Sequence, residues 1–265
     1  MAMTRVCIAG ITGWTGAPIA AAIALSDDLE LVSGVSRSAA GDPLSRVADG
    51  RDGVIHGSVP AALDAVSADV LIDFTNAEVV RANVLAAIER RVAVVVGSSG
   101  LTADDYDEID GRARKAGVGV IAAGNFSLLA ALLLRSAGEI ARHVPAWEII
   151  DYGSAGKPDV PSGTSRELAE RLGEIREPEI GRRLDSLHGP VEARGATVAG
   201  TQIHSVRLPS FVVSTEIVFA AQGERLVLKH DPGETAAPYV AGTLLAVRAV
   251  VGRVGLTRGL DSLLG

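Results

Sequence analysis

The sequence predicts an α/β protein, with an N-terminal doubly wound parallel sheet followed by a second, α+β domain. Three observations point there. Between Thr4 and Ala122, five short aliphatic runs alternate with helix-like stretches. A turn built on Gly10, Gly13 and Gly16 joins the first of those runs to the first helix. Past residue 127 the texture changes to an alanine- and leucine-rich helix and then to strands of alternating polarity.

Bulk properties narrow the function classes. A chain of 265 residues fits two modest domains, each able to bury its own core. A net charge of -7 and a pI near 5.3 give no basic excess to attract nucleic acid or an anionic membrane, so neither partner is expected. Aromatic residues are only 3% of the chain, which leaves aliphatic and alanine packing to build the core. The single cysteine, Cys7, lies in an apolar run, can form no internal disulfide, and suits a reducing cytoplasm. The apolar N-terminus is interrupted by Gly10, Gly13, Gly16 and Pro18, which fits strand, turn and helix better than a signal peptide. No metal centre is expected.

Thr4 to Ala9 reads as the first strand and Ala17 to Leu25 as the first helix. The glycines between them allow a sharp turn, close approach to a pyrophosphate and tight packing of helix on strand, a Rossmann-like arrangement. The spacing is a variant of the dinucleotide fingerprint, and it also serves a purely structural turn. Glu30 to Val35 is the second strand. It ends at Ser36 and Arg37, where a small hydroxyl and a cation accept a 2′-phosphate and an acidic residue would read a free ribose. The cofactor expected is therefore NADPH, with NADH possible. Residues 38 to 57 read as a loop with at most one weak helix. Ala68 to Phe74, Val92 to Val96 and Gly119 to Ala122 are strands, and 79 to 89 and 102 to 115 are helices. Ligands bind outside the carboxyl ends of such strands, which brings Phe74, Thr75, Gly97, Ser98 and Ser99 toward the cofactor with Gly10, Thr12, Gly13, Trp14, Thr15 and Gly16.

A domain boundary is expected near residue 125, with 126–233 as a substrate and oligomerisation domain and about 234–265 rejoining the first. The stretch from Asp151 to Glu167 resembles an anion seat. Pro161 and Gly163 break the chain, and Thr164 stands three residues before Glu167, the spacing of a capping box. The start of the helix 164–172 would present the amides of Ser162, Gly163 and Thr164 to a carboxylate, with Lys157 adding a charge. A capped surface helix with a solvated lysine shares that pattern. Residues 173–196 read as irregular; 201–208, 212–220 and 225–229 read as strands, and 234–251 as the last helix.

Taken together, these residues resemble the 4-hydroxy-tetrahydrodipicolinate reductase, or dihydrodipicolinate reductase, family. The marks are Gly10 to Gly16; Phe74 and Thr75; Gly97 to Gly100; Asn125, Phe126 and Ser127; Lys157, Asp159, Pro161, Ser162, Gly163 and Thr164; Ile203 to Arg207; and the tail Gly255 to Leu264. The resemblance implies hydride transfer from a nicotinamide cofactor to a cyclic imine and a homotetramer. It adds Asn125 and Phe126 to the cofactor contacts. It assigns Lys157, Ser162, Gly163 and Thr164 to the substrate's carboxylates, with Ser154 nearby and Lys157 as the one residue given to catalysis. Asp159 is expected to shape the turn.

The chain departs from the family at the chemistry. Immediately before the lysine the family reads His-His-Arg-His, its first histidine being the proposed proton donor. Here those positions are Gly153, Ser154, Ala155 and Gly156. Trp14 replaces a common arginine, Gly124 a usual proline, and Ser210 and Ser214 stand near the end of a strand where glycine and histidine are usual. None of the five histidines restores the pair; His204, in an alternating strand, reads as structural. Three functions follow: a reductase of this family with an altered carboxylated imine as substrate, the lysine-pathway reductase itself, or a nucleotide-binding protein without catalysis.

Overall fold

The computed structural model describes residues 3–264, in two compact units: 3–128 with 236–264, and Leu129–Thr235. The chain runs β1 (Thr4–Ala9), α1 (Gly16–Ala24), β2 (Leu29–Val35), β3 (Ile55–His56), α2 (Val59–Ala65), β4 (Val70–Asp73), α3 (Val80–Glu89), β5 (Ala93–Val96), α4 (Ala103–Ala116) and β6 (Gly119–Ala122). It continues through α5 (Leu128–His143), β7 (Ala146–Ser154), α6 (Gly163–Ile175), β8 (Ala196–Val198), β9 (Thr201–Leu208), β10 (Val213–Ala221) and β11 (Glu224–His230). It ends with α7 (Ala237–Val250) and β12 (Gly255–Arg258).

In the first unit seven strands lie in the order β12-β6-β5-β4-β1-β2-β3, and every pairing is parallel. Buried on both faces, such strands read as continuous aliphatic runs, as β1, β4 and β5 do. Cys7, Ala9, Leu71, Val94, Val96 and Val120 share one core with α2, α3 and α4. The alternate residues Val6, Ile8, Ile72, Val95 and Ile121 are equally buried and face the other side, where α1 and α7 pack. Local signals place the helix ends. Thr102 and Asp105 form a reciprocal capping box at the start of α4, and Gly117, at φ 73°, closes it in the left-handed conformation. Ser58 caps α2 by accepting from the Ala61 amide.

Several elements differ from expectation. The loop 38–57 holds the two-residue β3 and a 3-10 turn at Leu44–Arg46, and the seven-residue α2 follows directly. The tail forms β12, a four-residue strand on the edge beside β6. These pieces are too short for a periodic pattern, and β12, with its sequence Gly-Leu-Thr-Arg, has no alternation to read.

The second unit is a mixed five-stranded sheet, ordered β11-β10-β7-β9-β8, with β7 and β9 parallel and the other pairs antiparallel. Trp147, Ile149, Ile203, Ile217 and Phe219 project to one face and form a core with Ala137 and Ala141 of α5 and Leu168, Ala169 and Leu172 of α6. Alternate residues Glu148, Ile150, Tyr152, His204 and Val218 take the opposite face. Residues 173–196, expected to be irregular, contain the last turn of α6 and two 3-10 turns at Leu184–Ser186 and Val191–Arg194, and β8 begins at the last of them.

Candidate active site

The strand order of the first sheet reverses between β1 and β4, and that is where a crevice opens at the carboxyl ends of an α/β sheet. Gly10 and Phe74 leave these two strands side by side, with the Phe74 amide donating to the Ala9 carbonyl at 3.0 Å. The turn is too tight for side chains. A Cβ at Gly10, which has φ 81°, would stand 2.2 Å from the Phe74 carbonyl oxygen, and one at Gly16 would stand 2.1 Å from the Gly10 carbonyl oxygen. What remains is backbone at the N-terminus of α1, the surface that a pyrophosphate requires. Thr12 Oγ1 lies 2.8 Å from Ser36 Oγ, which ties the turn to the end of β2. Arg37 beside it is exposed. Thr15 sits at the N-cap position of α1, and Trp14, 52% exposed, meets Tyr239 of α7 edge-on at 5.7 Å between ring centroids.

Behind the crevice lies a buried carboxylate. Asp73 accepts from Thr75 N, Thr75 Oγ1, Ser98 Oγ and Asn83 Nδ2 at 2.6 to 3.1 Å. The hydroxyls of Thr75 and Ser98 are thus turned into the protein, and they fix the two strand ends on which Phe74, Gly97 and Ser99 stand. A Cβ at Gly97 would lie 2.0 Å from the Phe74 ring, so glycine there leaves space for that ring. Phe126 is 1% exposed and meets Phe74 edge-on at 5.6 Å, which makes its side chain a support for Phe74. Asn125 Oδ1 accepts from the Ser127 amide at 2.8 Å. The residues fit a dinucleotide.

In the second unit the expected anion seat rests on Asp151. This carboxylate is fully buried and accepts from Ser162 N at 2.9 Å, Ser165 Oγ at 3.1 Å, Ser205 Oγ at 3.1 Å and Arg207 Nη2 at 2.7 Å. Burial alone would push its carboxyl up, but the bonds from Ser162 and Arg207 outweigh that and hold it below the usual carboxylate range. The structure corrects the sequence reading of the turn in three ways. The cap of α6 is Ser162, whose Oγ accepts from the Ser165 amide, and the helix starts at Gly163. Of the three amides expected to be open, that of Ser162 belongs to Asp151. Lys157 is not solitary, since its Nζ lies 2.7 Å from Asp159 Oδ1. The Gly163 amide, first in the helix, has by position no acceptor one turn back. Thr164 follows it in the first turn.

Asp159 shapes the turn twice, pairing with Lys157 and accepting from Arg207 Nη2 through its carbonyl at 2.7 Å. Ser154 closes a tight turn to Lys157, whose amide donates to the Ser154 carbonyl at 3.0 Å. Sequence reasoning gave no role to Arg207 or Asp151. Strand parity carried the signal: Ile203, Ser205 and Arg207 alternate onto the face of β9 that Ile149 and Asp151 share on β7, and a charged pair on a core face calls for an explanation.

The other candidates for a proton donor are held elsewhere. Tyr152 donates its hydroxyl to Glu216 Oε2 at 3.2 Å, and burial with the Glu216 charge raises its pKa above the ordinary tyrosine value, which makes it a weaker acid. His204 Nε2 lies 2.7 Å from Glu148 Oε2, and Glu148 also pairs with Arg194, so His204 belongs to a structural cluster. Cys7 is 0% exposed and burial pushes its thiol up to about 12, which leaves it inert. Among the described residues no group of histidine, cysteine and carboxylate side chains is arranged to hold a metal, and no helix is long and apolar enough to cross a membrane.

Comparison with known proteins covers nearly the whole chain. The family models for dihydrodipicolinate reductase match in both parts, the N-terminus over residues 4–126 and the C-terminus over residues 128–264. A 4-hydroxy-tetrahydrodipicolinate reductase from Nocardia farcinica is 35% identical over 263 residues, covering 98% of each chain. One from Cutibacterium acnes is 34% identical over 266 residues, covering 99% of each. Among solved structures, a dipicolinate-bound dihydrodipicolinate reductase from Paenisporosarcina sp. TG-14 superposes with a TM-score of 0.77 at 26% identity, over 98% of this chain and 99% of that one.

Proposed function

This chain belongs to the dihydrodipicolinate reductase family, and from that premise we propose the division of labour among its residues, its cofactor preference and its substrate. It is an oxidoreductase that uses a nicotinamide cofactor to reduce a C=N bond. The cofactor supplies the hydride when bound. In our reading the backbone of Gly10, Gly13 and Gly16 with Thr12, Trp14 and Thr15 receives the pyrophosphate, and Ser36 and Arg37 select NADPH over NADH. Phe74, Thr75, Gly97, Ser98, Ser99, Asn125 and Phe126 form or support the nicotinamide end. Lys157 and the turn Ser162, Gly163 and Thr164 receive a carboxylate of the substrate, with Ser154 beside them, and dipicolinate, the ligand of the Paenisporosarcina relative, is an analogue of that substrate.

The observation that carries the substrate reading is that Lys157 and the turn Ser162, Gly163 and Thr164 are present while the family's histidine run is not. Asp151 holds the Ser162 amide and Asp159 pairs with Lys157 in the turn before α6, yet the positions of the histidine run hold Gly153, Ser154, Ala155 and Gly156. General acid catalysis is commonly worth about 10²- to 10⁴-fold. A carboxylated imine that arrives already protonated needs no such acid, which favours a substrate changed from that of the lysine pathway. The second reading, 4-hydroxy-tetrahydrodipicolinate reductase itself, is favoured by the full-length identity of about 35% to relatives of that name. Steady-state kinetics separate the two. With a changed substrate, turnover of the lysine-pathway intermediate is at least about a hundred-fold below that of an ordinary relative. Ordinary turnover, or growth rescue of a strain lacking the pathway reductase, establishes the second reading.

Assembly as a homotetramer follows the same resemblance. Val227 of the edge strand β11, 48% exposed, extends the apolar row of Val218 on the sheet face away from α5 and α6, a surface suited to a second copy. Sedimentation equilibrium at the mass of four chains is the expected result, and a monomer rejects it. We place the protein in the cytoplasm, where Cys7 stays reduced.

A further inference from the structure

Asp73 is the last residue of β4, in register with Ala9 at the end of β1 and Val96 at the end of β5. That puts it at the carboxyl edge of the sheet, beside the point where the strand order reverses. It is fully buried. Its Oδ1 accepts from Thr75 N at 3.1 Å and from the hydroxyls of Thr75 and Ser98 at 2.6 Å each. Its Oδ2 accepts from Nδ2 of Asn83, in the first turn of α3, at 2.8 Å.

Every one of these partners donates, which is the pattern around an ionised carboxylate, an acceptor only. Every one is also neutral, so none of them cancels the charge it surrounds. Tying β4, β5 and α3 together requires no charge. An asparagine at 73 would offer its oxygen to Thr75 and Ser98 and its NH2 to Asn83, whose own amide turns over to accept. A buried carboxylate is far more costly to desolvate than a buried amide. A charge kept here without a structural need points to a ligand whose own charge changes nearby.

We propose that Asp73 sets the redox preference of the cofactor site: its buried anion favours the oxidised nicotinamide ring, a cation, over the reduced ring, which is neutral. The proposal rests on the reading that Phe74, Thr75, Gly97 and Ser98 form the nicotinamide end. Phe74 follows Asp73 in the chain, and the other three bond to it, Gly97 through its amide to the Asp73 carbonyl at 2.9 Å. Acting through an effective dielectric of about 20, a unit charge changes an equilibrium ten-fold or more within about 12 Å. The field reaches past Thr75 and Ser98, so burial of Asp73 is no obstacle. Favouring the cationic ring makes the bound cofactor a stronger hydride donor, the direction that suits a reductase.

Calorimetric titration of the full chain with the oxidised and the reduced form of the dinucleotide it prefers tests this without turnover. Asp73→Asn removes the charge and keeps the hydrogen bonds. Asn83→Lys leaves Asp73 in place and sets a cation against it. In each variant the oxidised form is expected to weaken about ten-fold relative to the reduced form, which is about 30 mV on a two-electron couple. The matching adenosine diphosphoribose, which has no nicotinamide, keeps its parent affinity. A merely structural tie would weaken both redox forms alike. Should Asp73→Asn fail to fold, Asn83→Lys decides alone. A ratio of oxidised to reduced affinity within about two-fold of the parent's overturns the proposal and leaves the nicotinamide reading standing. An adenosine diphosphoribose loss as large as that of the oxidised form overturns the nicotinamide reading too, as does a parent that binds neither redox form.

Discussion

Replacing Asp151 by asparagine tests the polar support beneath the expected anion seat, because the change keeps the shape, removes the charge and turns one acceptor oxygen into an NH2 donor. Asparagine still offers one oxygen to the Ser162 amide, but Arg207, whose side chain is 14% exposed, loses the carboxylate 2.7 Å from Nη2. Breaking one partner of a buried ion pair costs about 3–5 kcal/mol, since the surviving charge stays desolvated. At about 2–4 °C per kcal/mol for a chain of this length, the melting point of the unit carrying the pair falls by roughly 6–20 °C in differential scanning calorimetry. Adding Arg207→Met removes the stranded cation, so the double variant is expected to be less damaged than the sum of the two singles by about 2 kcal/mol. The pH dependence has a fixed sign. Since the Asp151 carboxyl sits below its usual range in the folded chain, the pair's contribution is present above the ordinary carboxylate pKa and is lost as pH falls through the depressed value. The gap between parent and Asp151→Asn therefore narrows toward acid. A loss below about 1 kcal/mol at neutral pH, or strict additivity in the cycle, refutes the reasoning.

Three other perturbations bear on the two sites. Arg37→Ala is expected to weaken NADPH by roughly 10- to 150-fold and NADH hardly at all, the worth of one charge-assisted contact, as read by calorimetry; equal losses for both cofactors count against the assignment. Lys157→Ala should raise KM for the true substrate by at least about ten-fold while NADPH affinity holds, and an unchanged KM places the carboxylate elsewhere. Gly16→Ala should give a destabilised chain that no longer binds dinucleotide, since the new Cβ would start 2.1 Å from the Gly10 carbonyl oxygen; normal melting and cofactor titration contradict the packing account of that turn.

The longer elements were legible because each repeats one physical choice many times. β1, β6 and β9 follow their sequence-read bounds, and α3 and α4 lie within a residue of theirs. Aliphatic runs between glycine turns have few other ways to bury themselves. Short pieces escaped: α2 depends on one cap at Ser58, and β3 and β12 exist because β2 and β6 offer them an edge. In the candidate site, Ser162, Gly163 and Lys157 were singled out from local chemistry, but the cap was assigned to Thr164, two residues too late. Ser162 and Thr164 both precede the helix-like run, and local spacing does not choose between two hydroxyls.

By itself the sequence determined the doubly wound sheet with its glycine turn, the family to which the chain belongs, and the loss of the histidine run. Each is written in residues close along the chain, where pattern and composition act directly. Only the tertiary structure decided that the Ser162 amide serves Asp151, that Lys157 leans on Asp159, and that Arg207 crosses Gly153 with one donor unmatched. Except for Lys157 and Asp159, two positions apart, those contacts join residues 11 and more apart, as when Arg207 reaches Asp151 across 56 positions through the register of β7 and β9, and a buried charge takes its partner from whatever the register places beside it.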